Sequence, residues 1–182
     1  MPERSEEPAG RVPRSGVRDA LTWLRARGEP VRLGVRVASA DEIAALGALL
    51  GRPLPPSYVT FVETHESIET RSFRIYGLES GAELGAVATS QKLRRSISGR
   101  LASFGTQGLH PDAAAVVHWV AVADLGDTLG SVLFVDTDGA FRWVAVRELL
   151  LDGPGPNLDV DFGELVLETL AETYDEPSDD FG

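Results

Sequence analysis

The sequence predicts an α+β fold: a twisted, mostly antiparallel sheet packed by helices within a single domain. Apolar residues recur at helical spacing in the N-terminal part of the chain. Strand-like alternation and an Asp-Gly turn follow, and a helical pattern returns only near the C-terminus. Helices, then clustered strands, then a closing helix are the order of an α+β domain rather than a βαβ repeat. The 182 residues suit one domain, and 43% hydrophobic with 25% charged residues can build a core.

The elements follow in order. Residues 1–15 are polar, rich in Pro, Gly and Arg, and read as a disordered tail. The folded domain spans 16–174, and 175–182 form an acidic tail. Val17, Ala20, Leu21 and Leu24 mark a first helix, ended by Gly28 and Pro30. Ser39 stands three residues before Glu42, a capping-box spacing. Ile43, Leu46, Leu49 and Leu50 form the stripe behind it, and Gly51 is placed to stop that helix. Pro55 and Pro56 then start a third helix, where a missing N–H costs nothing. Tyr58, Phe61, Val62 and His65 fall on one face of it.

After this the period changes to two. Residues 72–76 alternate, with Phe73 and Ile75 on one side of a strand. Leu93, Ile97, Leu101 and Phe104 give a helix over 90–104, weakened by Gly99 and decorated by Lys92, Arg94, Arg95 and Arg100. Residues 116–123 are apolar on both faces, as an interior strand is. Residues 131–135 and 141–146 form a hairpin about Asp138-Gly139. Residues 152–157 are a loop. Asp161 caps a last helix whose apolar face is Phe162, Leu165, Val166 and Leu170.

Charge narrows the function. The net charge is −11, and it is uneven: +3 over residues 1–40, 0 over 41–110 and −14 over 111–182. An acidic lobe repels phosphates, which argues against direct nucleic-acid binding. It either attracts a basic partner and speeds encounter or serves only to keep the surface soluble. There is no cysteine, so neither disulfides nor thiolate metal sites are available. No apolar run approaches the roughly 20 residues that span a bilayer. The first 20 residues hold no apolar leader run, so the expected location is the cytoplasm, away from the membrane.

Enzyme signatures are missing. The single lysine, Lys92, is not in a phosphate-binding loop, and no serine has the nucleophile-elbow spacing. His65-Glu66 opens like a zinc-protease helix but lacks the second histidine. Asp136 to Gly139 resembles part of a calcium loop, yet the twelfth position is Arg147 instead of an acid. His110 and His118 near Asp112 are the remaining catalytic or metal possibility, and a hydrolase built on them is the least favoured reading. No catalytic, cofactor or metal residue is expected.

One combination of motifs is informative. An early acid and Ile on a helix (Glu42, Ile43) is followed by Leu50-Gly51 and then by Leu54, Pro55, Tyr58 and Phe61. Later come Trp119, a Gly126-Asp127 turn, a strand ending in Asp136, and a closing helix with Phe162, Glu164 and Leu165. In order and spacing, over residues 39–171, this resembles the SUKH superfamily, whose members include the Smi/Knr cell-wall-synthesis-regulator domain. One departure is the His65-Glu66-Ser67 stretch, where the family usually has Asn-Gly. Segment 90–104 looks like an insertion within the pattern.

The resemblance implies a non-enzymatic protein-binding domain. Many bacterial members are similar to immunity proteins, which neutralise toxins that are often nucleases. The expected partner is then a basic toxin domain, with turn residues Asp124, Asp127, Asp136 and Asp138 as candidate contacts; Asp127 and Asp136 match family positions and have the alternative role of fixing turns. The motif residues Glu42, Ile43, Leu54, Pro55, Tyr58, Phe61, Trp119, Gly126 and Phe162 are expected to be structural. The alternative is a regulatory or scaffolding module without a toxin, binding another protein through the Arg-bearing N-terminus and the basic 92–100 segment.

Overall fold

The computed structural model describes residues 10–79, 85–104 and 109–175. Residues 1–9 and 176–182, most of the two expected tails, lie outside the described residues. Residues 10–15 differ from a disordered tail. Val12 is buried, and its N–H donates to Asp175 Oδ1 at 2.6 Å, tying the N-terminal segment to the end of the last helix.

Local signals start and stop the early helices as expected. Helix α1, Val17–Ala26, buries Val17, Ala20, Leu21 and Leu24. Strand β1, Arg32–Leu33, follows. Helix α2, Ala40–Leu50, has the complete capping box between Ser39 and Glu42, and Gly51 ends it with φ +82°. Helix α3, Pro56–Thr64, begins on Pro55 and Pro56 and buries Tyr58, Phe61 and Val62. Strands β2, Ile68–Glu69, and β3, Phe73–Ile75, come next. Helix α4, Ala86–Phe104, starts earlier than its sequence pattern implies and places Ile97 at full burial.

The apolar run at 116–123 is not one strand. Ala113–His118 is a 3-10 turn, and strand β4 is Val120–Leu125. An apolar run without periodicity fits either element, and only the pairing partner decides. Strands β5, Ser131–Val135, and β6, Phe141–Ala145, form the expected hairpin. Its turn is longer than a two-residue Asp-Gly loop. Asp136 N–H donates to Ala140 O, and Gly139 alone takes positive φ, +87°. A left-handed glycine ending a three-residue loop suits a hairpin in which Asp138 keeps negative φ. Short helix α5, Leu149–Asp152, and helix α6, Phe162–Tyr174, complete the chain. Asp161 caps α6 by accepting from Gly163 N–H and Glu164 N–H.

All strands lie in one antiparallel sheet in the order β1-β2-β3-β4-β5-β6. The chain is therefore α+β, with each strand pairing to its sequence neighbour. Val120 to Ala123 and Val132 to Val135 are buried along their whole length, so the centre of the sheet is covered on both faces. A bulge between Ala121 and Ala123 frees one N–H from the ladder. Buried Ser90 of α4 accepts that Ala121 N–H at 2.8 Å and donates its own hydroxyl to Ala86 O.

Phe162 anchors the other side. Its ring lies 4.9 Å from Tyr58, 4.9 Å from Phe61 and 5.3 Å from Phe141, joining α3, α6 and β6. Arg142, next along β6, points to the opposite face and lies over Trp119. No helix of the described residues is long and apolar enough to cross a membrane.

The capping box carries a pH signature. Glu42 takes two bonds from Arg36, at 2.7 and 2.8 Å, and one from Ser39 N–H. The Arg36 bond and then the Ser39 N–H outweigh burial and hold the Glu42 carboxyl at about 2. A depressed carboxylate stabilises the fold above its unfolded pKa. That contribution is lost as pH falls through the folded value. Glu42→Gln keeps an acceptor for Ser39 but loses the charge. The gap in melting temperature between wild type and Glu42→Gln should be full near pH 6 and close as pH falls from about 4.5 towards 2. A gap independent of pH would contradict this role for the charge.

Candidate protein-binding surface

The four turn aspartates do not form one patch. Asp124 and Asp127 lie near the start of β5, and Asp136 and Asp138 lie past its end. The strand alone separates the two pairs by about 13 Å, four residue steps of rise.

Their environments also differ. Asp136 is 2% exposed. Its Oδ1 accepts from Asp138 N–H and Ala140 N–H, both at 2.9 Å, and its Oδ2 accepts from Arg142 Nε at 2.6 Å. Every bond of this carboxylate holds the β5–β6 turn, so a partner cannot reach it without undoing the turn. The expectation that Asp136 is a contact residue is corrected to a structural role.

Asp127 is exposed but committed to its own turn. It accepts from Ser131 N–H at 2.9 Å and Ser131 Oγ at 2.5 Å. Burial would raise its pKa, but these bonds, with the Gly130 and Leu129 N–H groups, outweigh that and lower it. Half-buried Asp124 faces Arg74 across β3–β4 at 3.8 Å. Burial and then the Asp124 carboxylate push the Tyr76 hydroxyl pKa up. Arg74 also bonds Glu69 at 3.2 Å, so a Glu69–Arg74–Asp124 row crosses three strands. Of the four, only Asp138 is exposed with no hydrogen-bond or ion-pair partner for its carboxylate among the described residues.

The acidic surface of the C-terminal half lies elsewhere, on α6. Glu164, Glu168 and Glu172 are exposed at i, i+4 and i+8, hence on one helix face. They span about 12 Å of helix. Exposed Asp159 and Asp161 precede them. The ion pairs among the described residues are Arg36–Glu42, Arg74–Glu69, Arg74–Asp124 and Arg142–Asp136, and none involves this face. The glutamates fill the polar side of the helix whose apolar side is Phe162, Leu165, Val166 and Leu170. Their four-residue spacing is a sequence signal for a single helix face.

The basic segment 92–100 is partly consumed inside the molecule. Arg94 Nη2 donates to Leu49 O at 2.7 Å and to His118 O at 3.0 Å, closing the C-terminal end of α2. Burial lowers the Arg94 pKa. Arg100 donates to Val146 O at 2.6 Å and Arg147 O at 2.9 Å. Lys92 and Arg95 stay exposed.

The histidines do not converge. His65 stacks on Phe61 at 4.4 Å and bonds Thr64 Oγ1 at 2.9 Å, finishing α3. His110 accepts from Asp112 N–H at 3.2 Å, and its ring lies against Gly153, whose positive φ and missing side chain admit it. His118 is exposed at the end of the 3-10 turn. Among the described residues, no three His, Cys, Asp or Glu side chains gather as a metal site.

The motif residues occupy packing positions. Leu54, Tyr58, Phe61, Trp119 and Phe162 are buried, and Glu42 completes the capping box. Gly126 passes close to Arg71 O, where an added Cβ would stand 3.4 Å away. An open groove of about 660 Å³ runs between α2 and α3, over Ile43, Gly47, Leu54 and Val59, with Arg52 and Glu63 as its charged lining.

No protein-family model matches this chain, and a search of curated proteins returns no match.

Proposed function

We propose that this protein is a non-enzymatic binding domain of the SUKH type, and that it neutralises a basic toxin domain by covering it with the acidic face of α6. The motif order over residues 39–171 supports the family reading. The observation that carries the binding reading is the row Glu164, Glu168 and Glu172, exposed and without a cation partner among the described residues. Three like charges on one face repel one another, and a basic partner would relieve that repulsion. A rigid helix also holds them at fixed spacing, which favours steering over adaptive contact. The basic 92–100 segment gives the scaffold alternative less support, because Arg94 and Arg100 are bonded to backbone carbonyls.

The test is kinetic. A triple Glu164→Gln, Glu168→Gln, Glu172→Gln variant keeps the helix and removes its charge. Association with the basic toxin domain should slow about tenfold at low salt, and the difference from wild type should shrink as salt rises. The melting temperature should hold, since these side chains are exposed. An unchanged association rate would remove α6 from the interface.

A further inference from the structure

We propose that the open edge of β1 is a strand-addition site for an extended acidic peptide from a partner protein, separate from the α6 face and opposite to it in charge. The register is the first observation. Arg32 pairs with Glu69, Leu33 pairs with Ile68, and Gly34 N–H donates to Ser67 O at 2.8 Å. Backbone groups alternate along an antiparallel strand, so those of Arg32 and Gly34 face β2 and those of Leu33 face outward. β1 ends the sheet, and no described strand lies beyond it. Leu33 therefore offers one N–H and one C=O to an incoming strand.

The side chains agree with this reading. Leu33 is 43% exposed on β1 itself, and Val35, in the bend just past the strand, is 92% exposed. Two hollows adjoin β1, and Leu33 and Ile68 line both. One, of about 250 Å³, is lined by Leu21, Leu33 and Ile68 together with Arg18 and Arg25. The other, of about 120 Å³, includes Arg32, Gly34 and Gly77. An added strand sends alternate side chains to opposite faces, so successive residues of a peptide would meet the two hollows in turn. Gly34 and Gly77 both lie against Ser67, where a side chain on either would crowd it.

Charge selects the peptide. Residues 1–40 carry +3 in a chain of −11. Arg25 and Arg32 are exposed and without a carboxylate partner among the described residues. Glu66 in the larger hollow offsets only part of this, and Glu69 in the smaller one, opposite Arg32, is itself paired with Arg74. A second copy paired edge to edge would set Arg32 close to its own equivalent, so a carboxylate-bearing strand is the better match.

The probes are two blocked hexapeptides of equal apolar content, one alternating Glu with Val and one alternating Lys with Val. The readout is hydrogen exchange at the Leu33 amide of the full chain. That amide should exchange freely alone and become protected about tenfold or more with the Glu peptide. The Lys peptide should protect it little. Leu33→Pro removes the donor at an edge position where proline is tolerated and should abolish binding. Arg32→Glu should reverse the peptide preference, so the test stands even if the proline variant folds poorly. Equal protection by both peptides, or by neither, overturns the proposal. Protection of Leu33 in the free protein that grows with concentration would assign the edge to a second copy and overturn it as well.

Discussion

Phe162→Ala is expected to cost about 3–5 kcal/mol of folding stability. Phe162 is fully buried and stands between Tyr58, Phe61 and Phe141, so its removal opens a hole where two helices meet the sheet. The hole cannot collapse easily, because α3 is fixed at its start by Pro55 and Pro56 and α6 by Asp161. Denaturant unfolding should show a lower midpoint with an unchanged slope. Tyr58→Phe is the informative control. The Tyr58 hydroxyl is buried with no hydrogen-bond partner among the described residues, and burial pushes its pKa up. Deleting it should be neutral or stabilising by up to about 1 kcal/mol. A loss larger than that would mean the hydroxyl has a partner and the cluster is not simply apolar.

Asp136→Ala should be of similar size, about 3–5 kcal/mol, because it removes a buried carboxylate that accepts three hydrogen bonds and pairs with half-buried Arg142. Arg142 would keep its place over Trp119 and its 3.3 Å bond to Gly155 O without its carboxylate. The N–H groups of Asp138 and Ala140 would lose their acceptor. Asp138→Ala, two residues away on the exposed tip, should change stability by less than about 0.5 kcal/mol. Thermal melts of both variants separate a fold-holding Asp136 from a contact residue. An Asp136→Ala protein that melts like wild type but fails to bind a partner would restore it to the interface.

The parts of the fold legible in sequence are those settled within a few residues. Ser39 with Glu42, Gly51 and Asp161 satisfy helix-end groups locally, and Pro56 removes one that would be unpaired, so the sequence shows these ends directly. β1 and β2 were not legible. Each has two residues, and Arg32 finds Glu69 only after α2 and α3 have intervened. The 116–123 run failed for a related reason. Its residues are apolar whether they face a 3-10 turn or a sheet, and Ser90 on α4 helps fix where the ladder is interrupted. The turn aspartates are ambiguous in sequence for a different cause. Acids on turns look free in sequence, but Asp136 and Asp127 spend their oxygens on their own turns. Asp138 keeps a free carboxylate on its turn, but the row of acids without partners among the described residues, Glu164, Glu168 and Glu172, sits on α6, where the polar side of an amphipathic pattern is easily taken as plain solubility.

The most direct test is a footprint. The tagged full chain is used to recover its partner from native lysate, the partner is identified by mass spectrometry, and the complex is compared with the free chain by hydrogen exchange and by carboxylate labelling. The account predicts a basic, toxin-like domain, with Glu164, Glu168 and Glu172 shielded from labelling in the complex. A partner without basic surface, or a shielded region over Lys92 and Arg95 with the α6 glutamates still labelled, would contradict it and favour a scaffolding module.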